Sequence, residues 1–370
     1  MKIVTVIGAR PQIIKAAALS RAIRENYNDR INEVIVHTGQ HYDENMSQVF
    51  FDELGVPKPH YNLHVGSASH GEQTAKMIEG IEKVLFEEKP DCIVLYGDTN
   101  STLAGAVAAS KIHVPVIHIE AGLRSFNKRM PEEINRIVCD HCSTLLFTPT
   151  LAGLGNLKRE GFPMDNEGPF SIDNPNVFLC GDIMYDNSLH FSTVADQKTD
   201  ILKRLGLAEK PFVLATLHRD SNTDNPDRLN AILDAFTELS KEITIVLPLH
   251  PRTRKKAAHF HADNVMVIEP VSFLEMIQLE KHAQLVLTDS GGVQKESYFF
   301  KKPCVILRPE TEWVEIVETG AATLADADKA KILETSHRYL QHPPVDFPAI
   351  FGDGHAAEFI LATLFKHFMQ

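Results

Sequence analysis

The 370-residue sequence has few cysteines, no long apolar run and no excess of basic residues. Its five cysteines follow no disulfide framework, and no second pair follows Cys139 and Cys142 as in a zinc site, so we expect no metal. No stretch approaches the roughly 20 apolar residues of a membrane span, and no apolar signal region opens the chain, so we expect a cytoplasmic protein without a membrane partner. The net charge of −12 argues against nucleic-acid binding, which needs a basic face.

The length and the repeating pattern of the chain predict two α/β domains. A chain of 370 residues exceeds the usual size of a single hydrophobic core. Apolar, strand-like runs alternate with segments of helical periodicity, which is typical of parallel sheets covered by helices. Between residues 161 and 176 turn residues are dense and the periodicity is lost. We therefore predict an N-terminal domain of residues 1–170 and a C-terminal domain of residues 171–352.

Three carboxylates stand where strand-like runs end or a helix begins. Asp98 follows the apolar run at 92–95, Glu120 follows the run at 114–117, and Glu132 comes directly after a proline at a helix start. Because ligands of open α/β sheets bind at the carboxyl ends of the strands, these residues are candidates for one cluster of acids and bases. Helix capping and surface ion pairs are the alternative explanation.

Two turns lead from a strand into a helix and are candidate anion sites. The first contains Gly8, Arg10 and Lys15, and a helix N-terminus with free N–H groups and a positive dipole end favours phosphate. Its glycine spacing matches neither the dinucleotide fingerprint nor the Walker loop. A plain turn with solvated basic side chains is the alternative.

The second turn contains Ser290, Gly291 and Gly292, with Glu296 one helical turn further on. Backbone N–H groups here suit a diphosphate, and the carboxylate suits the hydroxyls of a sugar, although a simple helix cap would also explain the serine. Two such turns facing each other across a cleft would bind a nucleotide-sugar. Further polar residues end two strands of the same half, and these are His218, Arg219 and His250.

Several ordered motifs resemble those of the non-hydrolysing UDP-N-acetylglucosamine 2-epimerases, over nearly the whole chain. They occupy residues 8–15 (GARPQIIK), 97–99 (GDT), 120–124 (EAGLR), 131–136 (PEEINR), 218–219 (HR), 289–296 (DSGGVQKE) and 352–354 (GDG). The resemblance implies a fold of the glycosyltransferase B type, in which two Rossmann-like domains face a cleft and a C-terminal helix at residues 353–370 joins the first domain. We also expect a homodimer.

The activity implied by this resemblance is inversion of C2 in a UDP-2-acetamido sugar, for the synthesis of bacterial surface polysaccharides. A base removes the C2 proton while UDP leaves C1. UDP then adds back to the resulting 2-acetamidoglucal as C2 is reprotonated on the opposite face. The resemblance implies no cofactor, neither NAD nor a metal. A glycosyltransferase of the same fold and a UDP-sugar sensor without turnover are the alternatives.

By position, the resemblance also implies roles for the candidate residues. Asp98, Glu120 and Glu132 look like the acid/base carboxylates, with His218 as a further catalytic or diphosphate-contacting group. The substrate-binding residues are Arg10, Lys15, Arg136 and Arg219 for the departing UDP, Ser290, Gly291 and Gly292 for the diphosphate, Glu296 for the ribose, and His250.

Departures from the commoner family pattern narrow the choice of sugar. Gln12, Asp220 and Trp313 look like the branch that includes UDP-2,3-diacetamido-2,3-dideoxyglucuronate 2-epimerases. Residues 40–41 begin a segment that also differs, which leaves open whether a second, regulatory UDP-N-acetylglucosamine site exists. The uronate sugar carries a C6 carboxylate, and its candidate partners are Arg124, Lys128 and Arg129. The alternative is that these residues form a solvated basic loop.

Overall fold

The chain folds into two compact α/β units. The computed structural model describes residues 1–39, 54–257 and 259–369, so the segment that begins at residues 40–41 lies outside the described residues. The first unit comprises Met1–Asn187 and Ile350–Gln370, and the second comprises Ser188–Ala349. No helix in the described ranges has the length and apolar character needed to cross a membrane.

The first unit is built on a parallel sheet with seven strands among the described residues. The strands are β1 (Lys2–Ile7), β2 (Asn32–His37), β3 (Tyr61–Asn62), β4 (Cys92–Tyr96), β5 (Val116–Ile119), β6 (Leu145–Thr148) and β7 (Asn176–Leu179). Their spatial order is β3-β2-β1-β4-β5-β6-β7, and all neighbouring pairs are parallel. Because the order reverses between β1 and β4, a ligand crevice is expected at the carboxyl ends of these two strands.

Among its described residues, the second unit repeats this arrangement with six strands. They are β8 (Phe212–Thr216), β9 (Thr244–Pro248), β10 (Val265–Ile268), β11 (Leu285–Thr288), β12 (Cys304–Ile306) and β13 (Ala322–Leu324). The order is β10-β9-β8-β11-β12-β13, again parallel throughout, with the reversal between β8 and β11. The predicted fold class, two Rossmann-like α/β domains, is confirmed.

Helices connect the strands of both sheets. In the described ranges they are α1 (Arg10–Asn26), α2 (His70–Glu88), α3 (Asn100–Lys111), α4 (Pro131–Cys142), α5 (Leu151–Arg159), α6 (Ile183–Lys198), α7 (Ile201–Arg204), α8 (Asp220–Thr223), α9 (Pro226–Leu239), α10 (Pro251–Lys256), α11 (Phe273–His282), α12 (Gly291–Phe299), α13 (Val314–Glu318), α14 (Lys329–Gln341) and α15 (Ala356–Phe368). Every residue of β4 and β8 is buried, as expected of central parallel strands with both faces covered.

The local sequence explains where the helices near the switch points begin. The hydroxyls of Thr99 and Ser290 each accept the backbone N–H three residues further on, which caps α3 and α12. Pro131 begins α4, where a missing N–H loses no intrahelical hydrogen bond. Each of these helices therefore starts directly after the turn or loop that carries candidate site residues.

The boundary between the units lies further along the chain than the predicted position at residue 170. Strand β7 pairs with β6 in the first sheet, so residues 171–187 belong to the first unit. The turn-rich segment at 161–176 is a connection within that unit, and loss of periodicity does not distinguish such a loop from a linker. The final helix also belongs to the first unit, where the Asp186 carboxylate accepts the N–H groups of Ala356 and Ala357 at 3.1 and 2.8 Å.

Candidate active site

The turn after β4 carries the first candidate carboxylate. Gly97 has a φ of +61°, a conformation that favours glycine, and Asp98 follows it. The Asp98 Oδ2 atom accepts a hydrogen bond from Arg136 Nη2 at 2.5 Å. The backbone carbonyl of Asp98 accepts a second from Asn135 Nδ2 at 2.9 Å. Because both donors lie on α4, this helix holds Asp98 by its side chain and by its main chain.

Glu120 follows β5 in a backbone conformation that is unusual for a residue with a side chain. Its φ is +76°, and such a left-handed conformation costs about 1–3 kcal/mol unless the surroundings impose it. Its carboxylate forms an ion pair with Lys15 of α1. A Cβ atom at Gly97 would lie 2.9 Å from Lys15 Nζ and 3.3 Å from Glu120 Oε2. The Asp98 turn and the Glu120–Lys15 pair therefore share one site.

Glu132, the third candidate carboxylate, is half-buried in the first turn of α4. It precedes Arg136 by four residues, so the two side chains leave the same face of the helix. Within the ranges that the structure describes, the Glu132 carboxylate makes neither a hydrogen bond nor an ion pair. It lies on the helix that holds Asp98 and remains available to a ligand.

Glu133, its neighbour, was missed by the sequence analysis and holds the loop that precedes α4. Its two carboxylate oxygens accept the backbone N–H groups of Ser125 and Phe126, each at 2.9 Å, and Oε2 also accepts from Arg136 at 3.0 Å. Burial opposes its ionisation, but these hydrogen bonds hold the pKa of Glu133 below its usual value. No sequence signal distinguished Glu133 from Glu132, because the two residues are adjacent in the same helical motif.

The first predicted anion turn is partly closed by Gln12. The Gln12 Oε1 atom accepts the backbone N–H groups of Gly8 at 2.9 Å and of Ala9 at 3.2 Å. Its amide nitrogen donates to the Tyr96 carbonyl at 3.0 Å, which joins the turn to β4. The expectation of free N–H groups at Gly8 is therefore wrong, because a buried side chain from the following helix turn occupies them. Arg10 is exposed at the start of α1.

Arg124 does not fit its expected role as a partner for a sugar carboxylate. Only 1% of its side chain is exposed, and its Nη2 atom lies 2.7 Å from both Asp140 Oδ2 and Glu160 Oε2. Its charge is therefore balanced inside the first unit, and this interpretation is wrong. Lys128 and Arg129 lie exposed on the loop that Glu133 holds.

In the second unit, Asp289 joins the two strand ends at the switch point. It is fully buried after β11, and its carboxylate accepts the N–H groups of His218 and Arg219 after β8, each at 3.0 Å. It also accepts the side-chain amide of Asn222 at 3.1 Å. Asp289 thus fixes the main chain of His218 and Arg219, while the side chains of both are exposed. Asp289 opens the motif at residues 289–296, and no local sequence signal indicated this role.

The second predicted anion turn has open donors, in contrast to the first. Ser290 caps α12 through Val293 N, so the capping alternative holds for its side chain. The N–H groups of Gly291 and Gly292 donate to no other group in the described part of the chain. Glu296 Oε2 lies 3.9 Å from the position of a Cβ at Gly292. This turn therefore presents two backbone donors beside a carboxylate.

Two further donors that the sequence analysis did not assign stand close to this turn. Arg308 Nη1 and Trp313 Nε1 each lie 3.9 Å from the position of a Cβ at Gly291. Arg308 is nearly buried and is held by Glu312 at 3.0 and 3.2 Å. It follows β12, so the rule that polar residues at strand ends line the site would have found it.

His250 has a local structural role as the N-cap of α10. Its Nδ1 atom accepts the N–H of Arg252 at 3.4 Å, and the residue is exposed. Among the described residues, no group of three or more histidine, cysteine, aspartate or glutamate side chains is arranged to hold a metal ion. All five cysteines are free thiols.

Comparison with known proteins identifies the class to which this fold and these residues belong. The family model described as UDP-N-acetylglucosamine 2-epimerase matches residues 23–365. The chain is 49% identical to the UDP-2,3-diacetamido-2,3-dideoxy-D-glucuronate 2-epimerase of Pseudomonas aeruginosa, over 99% of this chain and 100% of that one. It is 47% identical to a UDP-N-acetylglucosamine 2-epimerase homolog of Methanococcus maripaludis, over 98% and 99% of the two chains.

A solved structure gives the same result at the level of the fold. The UDP-GlcNAc 2-epimerase of Methanocaldococcus jannaschii, in complex with UDP-GlcNAc and UDP, is 41% identical and superposes with a TM-score of 0.86, covering 99% of this chain and 100% of that one. The chain belongs to the UDP-N-acetylglucosamine 2-epimerase family, and the resemblance seen in the sequence motifs is confirmed.

Proposed function

We propose that this protein is an isomerase that inverts C2 of a UDP-2-acetamido sugar. The observation that carries the proposal is the grouping of Asp98 and Glu120 with Lys15 and Arg136 at the switch point of the first sheet, in a chain of this family. Epimerisation at C2 needs a base on one face of the sugar and an acid on the other, so more than one carboxylate is required.

The proposed reaction has two steps, elimination of UDP and its re-addition, and the second step returns every atom that the first removes. A carboxylate of the set Asp98, Glu120 and Glu132 takes the C2 proton while the C1–O bond breaks, which gives UDP and a 2-acetamidoglucal. A second group of the set delivers a proton to the opposite face of C2 as UDP adds back to C1. Lys15 and Arg136 place positive charge near the carbon from which the diphosphate departs.

The second unit is assigned to the nucleotide. The open N–H groups of Gly291 and Gly292, after the cap at Ser290, suit the diphosphate oxygens. Glu296, one turn further, is proposed to accept the ribose hydroxyls. Other contacts to the departing UDP are assigned to the exposed side chains of Arg10, His218, Arg219 and His250.

The proposal is tested by solvent exchange. Incubation with UDP-GlcNAc or its 2,3-diacetamido uronate analogue in deuterium oxide should place deuterium at C2. Asp98→Asn and Glu120→Gln should abolish exchange while leaving UDP affinity within about tenfold, a shift below ~1.4 kcal/mol. The exposed Glu79→Gln, on α2, is the matched control and should exchange as the wild type does. Absence of exchange from every UDP-2-acetamido sugar would falsify the epimerase assignment.

The identity of the sugar is decided by the same assay. The Pseudomonas aeruginosa relative is named for the uronate sugar and the Methanocaldococcus jannaschii protein for UDP-GlcNAc, so both are substrates to compare by kcat/KM. Lys128 and Arg129 remain the candidate partners of a C6 carboxylate, because they are exposed on a loop held by Glu133. A homodimer in the cytoplasm that supplies surface-polysaccharide precursors completes the proposal, and light scattering tests the oligomeric state.

A further inference from the structure

Next to Asp98 and Glu120, two of the three candidate carboxylates of the first unit, lies a buried charged network that the proposed chemistry does not use. His118 of β5 is fully buried, and its Nδ1 atom lies 2.6 Å from Asp140 Oδ1 on α4. Its other ring nitrogen, Nε2, lies 2.8 Å from the carbonyl oxygen of Gly97. Arg124 completes the network through Asp140 Oδ2 at 2.7 Å and is itself paired with Glu160.

The contacts of His118 define its protonation state. Both ring nitrogens face oxygen acceptors, one a carboxylate and one a carbonyl, so each nitrogen donates and the ring is an imidazolium. Burial by itself lowers the pKa of His118, but Cys139 and Asp140 together hold it well above its usual value. Burial likewise opposes ionisation of Asp140, whose pKa is nevertheless lowered by His118 and Arg124. Within the buried part, Asp140 lies between the two cations, and Glu160 at the exposed edge balances the second positive charge of Arg124.

This network holds the backbone on both sides of Glu120. Asp140 binds the side chain of His118 through one oxygen and the backbone N–H of Gly122 through the other, at 2.6 and 3.2 Å. Glu120 lies midway between these two anchors, and its φ of +76° persists only if its surroundings impose it. One carboxylate therefore fixes both ends of the segment that carries the unusual conformation.

The same network holds the turn of the other carboxylate. The imidazolium of His118 donates to the carbonyl of Gly97, the residue directly before Asp98. The N–H of Gly97 donates to Ile119 O at 3.0 Å, so the turn is tied to β5 from both of its polar groups. A charged donor at this carbonyl forms a stronger hydrogen bond than a neutral one.

We propose that Asp140 and His118 are positioning residues that set the geometry of Glu120 and Asp98 together, as one charged unit behind the site. This inference rests on the proposed function, because it gives these groups a role in the epimerisation. Neither side chain is exposed to a substrate, since both are fully buried. Their effect on the reaction is expected through the backbone of the two carboxylates.

The test compares Asp140→Asn and His118→Gln with the wild type in the deuterium exchange assay. Each variant should lower the maximal rate of C2 exchange at least tenfold. UDP affinity should stay unchanged within about threefold, a shift of ~0.7 kcal/mol, because UDP is proposed to bind to the second unit. His337→Gln is the matched control, because the His337 ring also contacts a carboxylate, that of Glu242, at the surface, with Nε2 3.1 Å from Oε1. This control should leave the exchange rate unchanged.

A pH profile separates positioning from general damage to the fold. In Asp140→Asn the buried ring of His118 loses its counter-charge, so the exchange rate should acquire a titration below pH 8 that is absent in the wild type and in His118→Gln. In the wild type, ¹⁵N NMR of labelled histidine should show His118 doubly protonated up to pH 8.

The outcomes are distinct. If Asp140→Asn exchanges at the wild-type rate, the positioning role is overturned and the epimerase assignment stays intact. In Asp140→Asn, a loss of rate without the new titration also overturns it, as does an equal loss of UDP affinity in either variant, because these results indicate a purely structural effect. Absence of exchange in the wild type overturns the proposed function itself.

Discussion

Replacement of Asp289 by asparagine tests the junction at the switch point of the second sheet. The buried carboxylate accepts the N–H groups of His218 and Arg219 and the amide of Asn222 at 3.0 to 3.1 Å. An asparagine has a single acceptor oxygen, so its amide nitrogen must face one of these donors. Asp289→Asn therefore loses a hydrogen bond to a charged acceptor and leaves a buried N–H unpaired, which we expect to lower the free energy of unfolding by about 2–4 kcal/mol.

The assay is urea unfolding of the full chain, followed by titration with UDP. Because the main chain of His218 and Arg219 depends on this carboxylate, UDP affinity of the folded variant should fall by about tenfold or more, ~1.4 kcal/mol. Asp234→Asn, an exposed position on α9, makes the same chemical change and should alter neither quantity. If Asp289→Asn matched the wild type in both stability and UDP affinity, the hydrogen bonds to Asp289 would not hold the two strand ends.

Two further predictions concern the first unit. Gly8→Ala would place a Cβ 2.1 Å from Ser101 Oγ and 2.2 Å from Thr38 Oγ1, so the free energy of unfolding should fall by about 1–3 kcal/mol. Adding Ser101→Gly should restore part of this loss in urea unfolding. An unchanged unfolding midpoint for Gly8→Ala would contradict the prediction. Burial, against the N–H groups that cap α15, raises the pKa of Asp186 to about 6. The native state then binds more protons than the unfolded chain between pH 4 and 6, so the free energy of unfolding should fall as the pH rises through this range. The fall should be up to about 3 kcal/mol larger in the wild type than in Asp186→Asn, and equal pH slopes would refute the shift.

Much of the fold followed from local pattern, and the exception shows the limit of that reasoning. Apolar runs that alternate with helical periodicity predicted two parallel α/β units, because fully buried parallel strands read as continuous apolar segments. The boundary was placed at residue 170, although β7 pairs with β6 and extends the first unit to Asn187. A loop inside a unit and a linker between units have the same composition, and only strand pairing tells them apart.

The candidate site was predicted as a set of residue types but not as a set of contacts. Asp98 and Glu120 were predicted as site residues because polar residues after parallel strands meet at one edge of a sheet. The pairing of Glu133 with the backbone at residues 125–126 could not be found in this way, because it joins groups on a loop and a helix. The same holds for Arg124, whose charge is balanced by residues distant in sequence.

By itself, the sequence determined the fold class and the family and indicated the positions of the candidate acids and candidate anion turns, because each of these depends on short-range order along the chain. The tertiary structure decided which of those groups remain available. It showed that Gln12 occupies the N–H groups at Gly8, while those of Gly291 and Gly292 stay open. The physical reason is that a hydrogen bond between segments far apart in sequence satisfies a donor or balances a charge without leaving a mark on the local pattern.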